Sequence, residues 1–128
     1  TNSLASTYII TTLDETNINS DASRFVTGPK RILLDENFNI IGKISDGFSS
    51  QFGPSFSQDN LKIANTFPNT FEVKILDATN LSIIERISLI KPNGLQIFNA
   101  APIYDRNNLY IAGNLTFSIN GSFVIFKN

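Results

Sequence analysis

The sequence predicts an all-β fold. Three observations carry that prediction: short runs rich in Ile, Val, Phe, Tyr and Thr, clusters of Asn, Asp, Gly, Ser and Pro between them, and no stretch with apolar residues at helical spacing.

Taken in order, strands are expected at 7–12 (TYIITT), 31–35 (RILLD), 40–45 (IIGKIS), 61–65 (LKIAN), 71–77 (FEVKILD), 83–89 (IIERISL), 109–113 (LYIAG) and 122–128 (SFVIFKN). In the 71–77 run, Phe71, Val73 and Ile75 share one face while Glu72 and Lys74 share the other, which describes a strand with one buried side. At 83–89, Ile87 and Leu89 stand opposite Arg86 and Ser88 in the same way. The apolar triplet after Arg31 instead suits a strand covered on both faces.

Two of these segments echo each other. RILLDENFNIIGKISD (31–46) matches KILDATNLSIIERISL (74–89): Asp35 falls on Asp77 (77 − 35 = 42), and Ile40-Ile41 falls on Ile83-Ile84 at an offset of 43. The one inserted residue lies in the turn. Further along, SQDNLKIAN (57–65) matches DRNNLYIAG (105–113), with Leu61 on Leu109 and Ile63 on Ile111 at an offset of 48. Two motifs recurring in one order indicate one unit written more than once. The chain then reads as a single all-β unit, 1–128, with approximate repeats 7–60, 61–108 and 109–128, the last incomplete.

A period of roughly 40 to 50 residues holding four short strands is that of a β-propeller blade, a four-stranded antiparallel sheet. At roughly 45 residues per blade, 128 residues amount to about two and a half blades. Closed propellers have about four to eight, so the blades are expected to belong to a larger ring. The alternative is a β-sandwich of about eight strands.

KILDATNLSIIERISL followed by PIYDRNNLYIAG resembles the repeat of the YVTN or YncE-like propellers: a strand ending in Asp-x-x-Thr/Asn, a second strand, a Pro/Gly linker, and a strand of the type "spdg..lYva". The counterparts are Asp77, Thr79 and Asn80, then Ile83 to Leu89, Pro92 and Gly94, and Asn107 to Ala112. Residues 31–128 carry the resemblance. The usual Pro-Asp-Gly turn is Gln-Asp-Asn at 58–60 and Arg-Asn-Asn at 106–108, which keeps turn formers and loses the Gly. Such repeats serve many functions, so the resemblance implies a fold before it implies an activity.

Composition narrows the chemistry. With no Cys and no His, disulfides, thiolate nucleophiles and the commonest metal ligand and general base are unavailable. No metal and no cofactor is expected. Ten basic and eleven acidic side chains are scattered, giving a net charge of −1 and no basic stripe for nucleic acid. No apolar run reaches the roughly 20 residues of a membrane span. The start at Thr1 without Met suggests a trimmed product. With the Asn/Ser/Thr-rich surface and the YncE-like resemblance, it leans toward the periplasm or the cell surface.

Candidate sites are few. Asp35, Asn37, Asn39 and Asp46 take EF-hand-like positions, but Ile40 stands where that loop needs Gly; Asp35 and Asp77 are expected to cap turns instead. The connection 13–30 is the longest polar one, and its Asp14, Glu15 and Asp21 are candidate ligand contacts. Tyr104 and Tyr110 could wall a small-molecule or glycan site, since a phenol presents both a ring and a hydroxyl. Phe48, Phe52 and Phe56, flanked by Gly47, Gly53 and Pro54, are expected to pack between blades.

The sequence thus points to a non-catalytic binding or scaffold module of an exported propeller-like protein. Its partners would be further blades of the same or another chain, or a protein complex, met by loops at one end of the blades. The alternatives are a piece of a propeller hydrolase or lactonase, or a β-sandwich adhesin or fibre subunit.

Overall fold

The computed structural model describes residues 16–27, 31–44, 54–116 and 122–128. Among them eleven strands form three antiparallel sheets, each in sequence order. The first sheet contains β1 (Thr16–Ile18), β2 (Arg24–Thr27), β3 (Ile32–Asp35) and β4 (Ile40–Lys43). The second contains β5 (Ser55–Phe56), β6 (Lys62–Phe67), β7 (Glu72–Asp77) and β8 (Ile83–Ser88). The third contains β9 (Phe98–Asp105), β10 (Asn108–Asn114) and β11 (Phe123–Lys127). A 3-10 turn, Pro68–Thr70, joins β6 to β7. The expected strand at 7–12 lies outside the described residues, as do Phe48 and Phe52.

The two echoing segments form hairpins of like geometry. The β3–β4 and β7–β8 hairpins each contain a bulge, after Leu33 and after Ile75. The preceding Asp caps the turn in both. Asp35 Oδ1 accepts hydrogen bonds from the Asn37 and Asn39 N–H groups, both at 2.9 Å. Asp77 Oδ1 accepts from the Thr79 N–H at 2.7 Å and from the Thr79 hydroxyl.

Residues 16–27, read from sequence as part of a long loop, instead form the β1–β2 hairpin. Its turn is another copy of the Asp-Asn motif. Asp21 Oδ1 accepts from Ser23 N as Asp59 Oδ1 accepts from Leu61 N, and Ala22 and Asn60 both take positive φ, 58° and 65°. Then Arg24 pairs with Asp35 as Lys62 pairs with Asp77. The physical reason is burial: Phe25 and Val26 are fully inaccessible, and a loop could not satisfy its backbone there.

Two apolar layers separate the three sheets. Between the first and second lie Val26, Leu33, Ile63, Phe67 and Leu76; between the second and third lie Ala64, Val73, Ile75, Leu109 and Ile111. The alternation of β6 produces both layers, since Ile63 and Phe67 face one neighbour while Ala64 and Thr66 face the other. Thr66 does so without an unmet hydroxyl, donating to the Ala100 carbonyl at 2.9 Å. Pro102 is tolerated within β9 because that strand pairs only with β10, leaving its outer side without a ladder among the described residues.

Candidate functional site

The first strands of the three sheets, together with the hairpin turns that follow them, come together at one end of the molecule. The turns are bonded in series. The Ser20 hydroxyl lies 2.7 Å from Asn60 Oδ1 and 3.1 Å from the Gln58 carbonyl oxygen, and Ser20 N–H donates to the same Asn60 oxygen at 3.1 Å. From the second turn, Gln58 N–H donates to the Arg106 carbonyl at 2.9 Å and Asp59 N–H to Asn107 Oδ1 at 3.0 Å. Asp59 and Asn107 are the residues that the sequence echo superimposes. Turns at corresponding places in successive sheets are therefore physical neighbours.

Each turn is stiffened from within. Asn19 Oδ1 accepts from Ser23 N and Arg24 N, and the Ser57 hydroxyl donates to Asp59 Oδ1 at 2.6 Å. Hydrogen bonding holds the turn carboxyls below their ordinary value near 3.8: the Ser57 hydroxyl acts on Asp59, and the Ser23 hydroxyl on Asp21. These groups are committed anions of turn geometry, and nothing about them suits proton transfer.

Behind the turns opens a cleft of about 450 Å³, within the range of roughly 300–1,000 Å³ for small-molecule sites. β1 and its turn contribute Asn17, Asn19 and Ser20; β5 and its turn contribute Ser55, Phe56 and Gln58. β9 and its turn contribute Tyr104 and Arg106, the latter being the one ionised side chain on the wall among the described residues. Ser55 also fixes β9, because its hydroxyl oxygen accepts from Tyr104 N–H at 3.0 Å. Burial, then the charges of Asp59 and Glu85, push the Tyr104 phenol up to about 12, so it stays a neutral donor at physiological pH.

The sequence candidates divide accordingly. Tyr104 lines the cleft; Tyr110 lies on the opposite face of its hairpin and does not. Asp21 sits in the β1–β2 turn with its carboxylate bonded to Ser23, while Asp14 and Glu15 lie outside the described residues. Ser20, Gln58 and Arg106 were not anticipated. Their only signal was membership of the repeated turns. Among the described residues no three acidic groups converge as a metal site would require.

No family model and no curated protein sequence matches the chain. Solved structures do. The chain is similar to a structure titled dihydro-heme d1 dehydrogenase NirN in complex with DHE, at TM-score 0.61 and 14% identity, covering 89% of this chain and 28% of that one. It is also similar to Kuenenia stuttgartiensis hydrazine synthase, at TM-score 0.50 and 13% identity, covering 94% of this chain and 49% of that one. Both are β-propeller proteins. The three sheets are β-propeller-type blades. The chain spans less than half the length of either neighbour, and the likeness concerns the fold alone.

Proposed function

We propose that this chain is a non-catalytic binding or scaffold module of a β-propeller protein, and that the cleft at the turn end of its blades holds a small polar ligand. The carrying observation is the wall of that cleft. Its amides and hydroxyls come from all three blades, its aromatic surface from Phe56 and Tyr104, and its one charge from Arg106. A hydrogen-bonding ring compound bearing a carboxylate, such as an acidic sugar, satisfies that set: the guanidinium takes the carboxylate and a ring face meets the aromatics. Among the described residues no acid–base pair stands across the cleft, which favours binding over hydrolysis.

The YVTN/YncE-like reading is part of this proposal and rests on the Asp-capped turns and the quoted repeat. Export to the periplasm or cell surface rests on that same resemblance, and cell fractionation tests it. For the cleft, the test is an amide-resolved NMR titration with glucuronate beside glucose. Glucuronate is expected to shift Ser20, Gln58 and Tyr104 signals, glucose to shift them less, and Arg106→Gln to abolish the difference. Titrations that move none of these signals would sink the reading.

A further inference from the structure

Three residues of the cleft wall are joined to one another through the turns that carry them. Ser20 belongs to the first turn, Gln58 to the second and Arg106 to the third. Ser20 has one hydroxyl hydrogen, and the two oxygens beside it, Asn60 Oδ1 at 2.7 Å and the Gln58 carbonyl at 3.1 Å, only accept. That hydrogen is therefore committed to the second turn, and Ser20 offers the cleft an acceptor oxygen. Gln58 is held from its other side, where its N–H donates to the Arg106 carbonyl at 2.9 Å.

Arg106 needs such support. It takes φ 59° in the two-residue connection between β9 and β10, a left-handed backbone that a residue with a Cβ adopts at a cost. The second turn fixes that connection at two points: Gln58 N–H donates to the Arg106 carbonyl, and Asp59 N–H to Asn107 Oδ1 at 3.0 Å. Asn60 and Asn107 thus supply the side-chain acceptors of the two junctions, and neither is among the described residues that line the cleft.

We infer, resting on the reading of the cleft as a ligand site, that Asn60 and Asn107 are its positioning residues. Without touching the ligand, they hold Ser20, Gln58 and Arg106 at the spacing the ligand requires, so ligand binding and turn-to-turn bonding form one coupled equilibrium. A ligand that bridges the three turns adds its own contacts to the bonds between them, and by linkage each strengthens the other by the same factor. With one exposed hydrogen bond at stake in each junction, that factor is about two- to tenfold.

Backbone amides report these bonds directly in the 128-residue chain, with glucuronate as the probe. At saturating glucuronate, hydrogen exchange of the Ser20, Gln58 and Asp59 amides is expected to slow about two- to tenfold. The Leu61 amide, bonded within its own turn to Asp59 Oδ1, should keep its rate. Asp59 is the deciding position: it is not among the residues that line the cleft, so a ligand that merely covered the wall would leave it unprotected. Asn60→Gly suits the local φ of 65° and removes the acceptor of the first junction; Asn107→Ala removes that of the second. Each should weaken glucuronate binding about two- to tenfold. Asn60→Asp returns an acceptor oxygen and should restore the protection of Ser20. If glucuronate shifts the Arg106 signals yet leaves Asp59 unprotected, or binds the Gly and Ala variants as tightly as the unsubstituted chain, the coupling is overturned and the cleft stands as a binding site. If glucuronate shifts no signal of the wall, the ligand reading of the cleft fails, and the positioning roles fail with it.

Discussion

The second and third blades carry the same pair of side chains in the same register and give them opposite environments. Ala64–Ile75 lies beneath a neighbouring sheet; Ala112–Ile125 faces solvent. The difference teaches that these blades carry two apolar faces, whatever number of neighbours is present. Exposed Ile on the outermost strand of a monomeric sheet would be unremarkable singly. Here Ile103 and Ile125 stand on one face with Tyr110 and Ala112, and the matching face one blade earlier is core.

The largest test of that comparison is truncation at both places. Ile75→Ala should cost about 2–5 kcal/mol, the usual loss for a large aliphatic side chain removed from a sealed core. Ile125→Ala should cost about 0.5 kcal/mol or less, as for other exposed positions. Urea unfolding of the two variants measures both. Equal losses would mean that the two pairs share an environment, and the comparison would fail.

Next comes the closed face of the third blade, where Gly113 is packed against backbone. A Cβ there would lie 2.5 Å from Ile97 Cγ2 and 2.8 Å from the Phe98 carbonyl oxygen. Gly113→Ala should therefore destabilise by roughly 1–3 kcal/mol. Gly42 in the first blade has a close neighbour too, the Leu81 Cδ1 at 2.7 Å, but that is the end of a side chain rather than backbone. Gly42→Ala should cost less, and thermal melts of the two variants rank them.

Much of this was legible in the sequence, and what was missed has physical causes. Seven of the expected strands coincide with β3, β4, β6, β7, β8, β10 and β11, because each carries β-branched or aromatic residues bounded by turn formers. β5 was missed because two residues carry no period. β9 was missed because Pro102 reads as a break, which an edge strand tolerates. The copy of the turn motif at Asp21 shares almost no identity with QDNLKIA; the cue was an Asp at fixed distance from a buried pair, Phe25 and Val26. The repeats drawn at 61 and 109 begin at the second strand of the second and third sheets, so sequence period and sheet differ in phase. The cleft was hardest to foresee. Only contact between successive turns brings Ser20, Gln58 and Arg106 together, and linear spacing does not encode that contact.

The turn-to-turn bonds offer a smaller test. Asn60→Ala removes the acceptor for Ser20 and Asn107→Ala the acceptor for Asp59, both at exposed positions where water can replace the partner. Each should cost about 0.5–1.5 kcal/mol, and the costs should be similar because the bonds play the same part at successive interfaces. Acidification weakens the same turns. Carboxylates whose folded values are lowered contribute fully above their ordinary value near 3.8, and that contribution fades as pH falls through the lower folded values. Asp59→Asn should shallow the acid limb of a stability–pH curve; an unchanged limb would assign the acid loss to other groups.

The alkaline limb isolates one residue between the second and third blades. Tyr104 is packed against the layer containing Leu109 and Ile111, where burial raises its phenol from 10.0 to about 12. In the unfolded chain the phenol ionises near its ordinary value, so between 10 and 12 the unfolded state gains a charge that the folded state resists. Stability is then complete below pH 10 and falls as pH rises through that window. Tyr104→Phe should remove this loss while leaving the neutral-pH stability nearly unchanged, because the ring that packs against the layer is kept. If Tyr104→Phe left the limb as steep as before, the phenol would not be desolvated between the second and third blades, and the contrast between closed and open blade faces would be lost.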